Sequence, residues 1–254
     1  MAMDSFFPFL QTHLLQFLFT CIIAFAAAVM GGISGFGTGL ILPVFLSPVV
    51  GVANVIPVMA VAMLLNNGSR ALAFREAIKW DHVRRLLVFG LPGCALGAYG
   101  YTLLKADWIA FALGCFLLLS LPLRRRLRRA AFQLRAPGEI FAGGLFGVIN
   151  GGMTGTGVFL ISLLLAAGVQ GAALIATDAI LAVIMSAVKV VLFGRFASLD
   201  LLMLCIGLLV GAATIPGAYL ARYCLGKISL RVHAWLMEGI VLVGAMTFLW
   251  QAFH

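Results

Sequence analysis

Long apolar runs recur from one end of the chain to the other, separated by short polar or glycine-rich segments. Runs of about 17–25 apolar residues are long enough to cross a bilayer as helices. Helices are also what lipid demands, because it offers backbone N–H and C=O groups no partners. The pattern predicts ten helical elements, at 10–30, 38–48, 54–74, 83–104 and 107–123, then at 139–150, 157–168, 172–193, 200–223 and 231–252. The fold class is therefore an all-α integral membrane protein. The elements at 139–150 and 157–168 are short for a crossing.

The two sets of five belong to an internal duplication. Gly31-Gly32-Ile33-Ser34-Gly35-Phe36-Gly37 returns 120 residues later as Gly151-Gly152-Met153-Thr154-Gly155-Thr156-Gly157. Gly97-Ala98-Tyr99 returns at the same offset as Gly217-Ala218-Tyr219, and Phe74-Arg75 is echoed near Phe193 and Arg195 at an offset of 119. Three matches in order, nearly in register, divide the chain into a first repeat (1–123), a basic linker (124–138) and a second repeat (139–254).

Composition supports the membrane reading: 63% of the 254 residues are hydrophobic and 10% are charged, against about 25% charged in soluble domains. Mean hydropathy is +1.15. The net charge of +9 does not point to nucleic acid, since the basic residues sit in short loops between apolar runs, where they report topology. No Lys or Arg precedes Arg70, so the first apolar stretch lacks the basic start of a signal peptide and reads as a retained helix.

Arg70, Arg75, Lys79, Arg84 and Arg85 gather around one loop, and six arginines fill the linker; both read as cytoplasmic. The turn at 103–108 holds only Lys105, and the loop near 194–200 only Arg195, whereas Arg222, Lys227 and Arg231 make the next one basic. Equivalent loops of the two repeats thus face opposite sides, and both termini read as external. Such an inverted repeat is common among secondary transporters, with the substrate site near the midplane. Each repeat then holds either five crossings, or three crossings and a re-entrant hairpin made of its first two elements.

Glycine clustering selects the candidate site. Gly31 to Gly39 holds five glycines with Ser34 and Thr38, and 147–157 repeats the pattern with Asn150, Thr154 and Thr156. Each glycine costs a helix interior about 1 kcal/mol relative to Ala, so the clusters predict interrupted helices. Unwound backbone inside a membrane must line a cavity or be buried, and its N–H groups and the following helix start attract anions. Candidate binding residues are Ser34, Gly35, Phe36, Gly37, Thr38 and Gly39, with Asn150, Thr154, Gly155, Thr156 and Gly157. Packing of small residues competes with this reading, and is favoured for Gly93/Gly97 and Gly207/Gly211.

The paired segments resemble the TauE/SafE sulfite exporter family of bacterial anion permeases, as does the Arg75…Lys79-Trp80-Asp81 loop. The resemblance covers essentially the whole chain. It departs at Leu163, which stands where the first segment has Pro43. The resemblance implies transport of sulfite, sulfonates or related anions across the cytoplasmic membrane, that is, the cell inner membrane.

Ionisable residues inside a membrane are functional candidates. Asp178 could carry a coupling proton, or could complement the start of its helix. Lys189 reads first as a side chain that snorkels to the interface, and second as an anion contact. Asn66, Asn67 and Arg70 read as a capped helix end, with an anion contact as the other possibility. Trp80 reads as an interfacial anchor. The cysteines are scattered singly, the histidines fall at element ends, and no metal motif, cofactor motif or catalytic constellation is present in the sequence. The sequence therefore predicts a secondary transporter of a small anion, not an enzyme, with protons as a possible coupling ion. A passive anion channel and a non-catalytic membrane subunit are the alternatives, and the oligomeric state stays open.

Overall fold

The computed structural model describes residues 2–34, 37–129, 134–196, 199–224 and 230–253. Those residues form ten α-helices and no strand: α1 (Ala2–Ser34), α2 (Thr38–Val50), α3 (Val52–Ala73), α4 (Trp80–Thr102), α5 (Ala106–Arg129), α6 (Ala136–Gly152), α7 (Gly157–Ala166), α8 (Gly171–Arg195), α9 (Leu201–Cys224) and α10 (Leu230–Phe253). Each expected element is present. Two differ in extent. Helix α1 begins eight residues before the expected start, and α5 continues through Arg124–Arg129. The linker therefore opens as helix, as the high helix propensity of Arg allows. Lys227 and residues 130–133 lie outside the described set.

Among the described residues, four helices are long and apolar enough to cross a membrane, within 14–32, 52–73, 171–195 and 201–221. Large apolar side chains such as Leu15, Leu96, Phe141 and Met246 cover the outside of the molecule, which suits a surface facing acyl chains. With four such helices, the chain is a multi-pass membrane protein.

Helices α2 and α7 are too short to cross. At about 1.5 Å per residue they span about 20 Å and 15 Å, against about 30 Å of hydrocarbon. Each runs back beside the helix before it. Thr38 Oγ1 donates to the Ala27 carbonyl at 3.0 Å, and further along the Phe45 ring meets that of Phe19 at a centroid distance of 5.8 Å. The Leu134 N–H bonds the Ala166 carbonyl at 2.8 Å and closes the base of the second hairpin. At its tip the Asn150 amide donates to Thr156 Oγ1 at 2.6 Å.

Packing exchanges helices between the two halves of the chain. Helix α1 packs on α9 and α6 on α4, while α3 lies against α8 and α5 against α10. Replacing every helix by the one five places away returns the same set of pairs. The α4–α6 contact is backbone against backbone: a Cβ on Gly97 would strike the Val148 carbonyl, and one on Gly147 the Gly90 carbonyl. Here the sequence expectation needs correction. Gly31, Gly32, Gly147, Gly151 and Gly152 are helical, because close neighbours occupy the space of the missing side chains and offset the poor propensity of glycine. Gly93 and Gly97 pack on α6, Gly207 and Gly211 on α3.

Prolines inside these helices free carbonyl groups that other elements then use. A proline has no N–H for the carbonyl four residues earlier. Pro57 leaves that of Ala53 open, and the Tyr101 hydroxyl donates to it at 2.9 Å. Pro43 does the same for Gly39, with consequences at the site.

Candidate functional site: a polar cavity between two hairpin tips

Within the glycine clusters, the described backbone leaves the helix at the hairpin tips. Gly37, at φ 142°, caps the start of α2. Met153 is extended, and Gly155 has φ 77° two residues before α7. The two tips meet. Thr154 Oγ1 donates to the Gly39 carbonyl at 3.1 Å, the acceptor that Pro43 deprives of a helical donor. Leu163, 120 residues after Pro43, keeps its N–H for the carbonyl of Phe159, four residues earlier. Removing the Thr154–Gly39 bond with Thr154→Val should cost about 1–2 kcal/mol in an unfolding titration, as loss of a buried hydrogen bond does. The cost should shrink in a Pro43→Ala background, where residue 43 regains an N–H for Gly39.

Beside the joined tips lies a cavity of about 70 Å³, several times the roughly 10–15 Å³ that one water needs. Its walls bring together most of the residues predicted from sequence: Gly37, Thr38 and Gly39 from one tip, Asn150, Thr154, Gly155, Thr156 and Gly157 from the other. Gly35 and Phe36 fall outside the described residues, as does the side chain of Ser34, the last residue of α1. Helices α2 and α7 both start at this cavity, and neither start carries a side-chain cap. Two positive helix ends therefore converge on one space.

Helices α3 and α8 complete the walls with Asn66, Asn67, Arg70, Asp178 and Lys189. Arg70 and Asp178 are 4% and 2% exposed and form an ion pair at 3.1 Å. A second nitrogen of Arg70 donates to Asn67 Oδ1 at 3.0 Å. Arg70 is thus part of a buried network, and Asp178 answers a charge on another helix. Lys189 differs from the favoured sequence reading. It is 6% exposed and its Nζ donates to the Asn150 carbonyl at 3.1 Å, so it points to the second tip and does not reach the interface. Its position six residues before the end of α8 suggested a snorkelling side chain; the polar tip beside it supplies a nearer partner.

Sequence reasoning missed the equivalence of Arg70 and Lys189. They are 119 residues apart, the offset that relates Phe74 to Phe193. At that offset Asn67 corresponds to Ser186, which also lines the cavity, and Asp178 corresponds to Met59. The two halves of the chain thus contribute one cation each, while the carboxylate comes from the second half only. Met63, Phe146, Leu160 and Ala182 add apolar wall.

Trp80 starts α4 and is half exposed. Outside the cavity, His82 Nδ1 lies 2.8 Å from the buried Glu139 carboxylate and Arg85 3.4 Å from it, which ties the start of α4 to the start of α6.

The chain matches the family model for the sulfite exporter TauE/SafE over residues 20–248, from within α1 to within α10. No curated protein and no solved structure gives a match. That family is one of membrane transporters, and because the match takes in both hairpins and every cavity-lining residue, the chain belongs to the sulfite exporter TauE/SafE family.

Proposed function

We propose that the protein is a secondary transporter that moves a small sulfur-containing oxyanion, sulfite or an organosulfonate, across the cytoplasmic membrane by alternating access. The observation that carries this reading is the cavity where both hairpin tips, both uncapped helix starts, Arg70 and Lys189 converge. Both helix starts, Arg70 and Lys189 favour negative charge there, and Asp178 opposes it. The bound anion accepts from the N–H groups of the two helix starts and from Lys189, while Arg70 is held in place by Asp178 and Asn67.

An inverted repeat fits the exchange of helices between the halves. Each half supplies a hairpin entering from one side and three longer helices, with both termini outside and the loops around Arg75 and Lys227 inside. The site then lies where the halves meet, as in other inverted-repeat transporters, and the rocking of one half against the other exposes it to each side in turn.

Purified protein in liposomes should release labelled sulfite or a short sulfonate, and unlabelled anion on the opposite side should accelerate that release. Acceleration of this kind requires a site that returns loaded, so a passive pore would not give it. Asp178 is the proposed coupling residue. Asp178→Asn should remove the dependence of flux on an imposed proton gradient. Unchanged dependence would leave Asp178 as the structural partner of Arg70 alone.

A further inference from the structure

Charge bookkeeping inside the cavity leads beyond a general preference for anions. Among the described residues, its walls carry three ionisable side chains, Arg70, Asp178 and Lys189. The first two are paired at 3.1 Å. Lys189 has a backbone carbonyl for its partner, and no carboxylate lies within ion-pair distance of it among the described residues. As an ammonium, Lys189 therefore has no counter-charge among the described side chains, which is a costly arrangement in a low-dielectric setting.

We propose that this site selects its substrate by charge state, taking singly charged oxyanions in preference to doubly charged ones, with Lys189 as the counter-charge. The inference rests on the anion-binding reading given above. A monoanion brings the ionised side chains to formal neutrality, whereas a dianion leaves an excess negative charge that must be desolvated on entry and that only the partial charges of the two helix starts oppose. Sulfonates meet this condition through their single ionisable group, and sulfite meets it as hydrogensulfite. Sulfate, similar in size and shape to methanesulfonate, does not.

The test is binding of radiolabelled methanesulfonate to the purified protein in detergent at pH 7 and constant ionic strength, with unlabelled methanesulfonate and sulfate as competitors. Saturable binding is expected, with sulfate weaker by at least about tenfold, which corresponds to about 1.4 kcal/mol. Asp178→Asn should narrow or reverse that ratio, because it adds one positive charge to the cluster. If that variant does not fold, the wild-type ratio decides alone. Sulfate competing as well as methanesulfonate, or binding where methanesulfonate does not, would overturn selection by charge while leaving an anion site in place. Binding of neither would overturn the anion site itself and the selection with it.

Discussion

Arg70→Met should destabilise the protein by about 3–5 kcal/mol, because it strands the Asp178 carboxylate in a buried setting. Asp178→Leu should cost a similar amount by stranding Arg70. The double variant should recover most of the loss, since an apolar pair of similar volume needs no desolvated charge. Unfolding of the four proteins in detergent forms a double-mutant cycle, and a coupling of several kcal/mol is expected between residues that touch. Additive single effects would mean that the 3.1 Å contact contributes nothing. The same double variant separates stability from function: it should fold well, yet bind anions poorly, since it removes a polar wall of the cavity.

Lys189→Met should have the larger effect on binding. Methionine keeps the length and apolar stem of lysine while removing the charge that the anion meets. Truncating one member of a buried charged contact costs about 2–5 kcal/mol, so affinity for methanesulfonate should fall by a factor of roughly 30 or more. Stability should hold or rise, because the unliganded site no longer buries an uncompensated cation. Competition binding and thermal unfolding on the same preparation would distinguish this from misfolding. Retained affinity would remove Lys189 from the site.

Much of this architecture was legible in the sequence, for physical reasons that can be named. Helix existence follows from apolar runs that lipid forces into a hydrogen-bonded form, and all ten elements fall where expected. Tip residues such as Thr154 and Gly155 are legible through their repetition, and Thr38 as a hydroxyl inside the first glycine cluster. Where glycine serves packing, the sequence misled: Gly147 and Gly151 look like breaks, and only the facing backbone of α4 explains why they stay helical. The Arg70–Asp178 pair joins residues 108 positions apart, and no local pattern encodes it. Lys189 was misjudged because a lysine near a helix end usually reaches water; its burial depends on a tip carbonyl contributed by another helix. The equivalence of Arg70 and Lys189 was present at an offset of 119, one residue away from the offset set by the glycine segments.

Pro43 shows how one substitution between repeats alters a site. It opens the Gly39 carbonyl, and Thr154 of the other hairpin fills it at 3.1 Å. At Leu163 the N–H is retained, so no carbonyl is opened there in the same way.

The most direct test of an anion path through the joined tips is sulfite flux in liposomes by wild type and Gly155→Leu. Gly155 has φ 77° and would place a Cβ against Leu40 and, at 2.9 Å, the Gly39 carbonyl, so a leucine there wedges the tips apart and fills the cavity. With both proteins matched for folded, monodisperse protein by size-exclusion chromatography, wild-type vesicles should show saturable flux and Gly155→Leu vesicles only the leak of empty liposomes. Equal flux from the two would contradict passage of the anion between the hairpin tips.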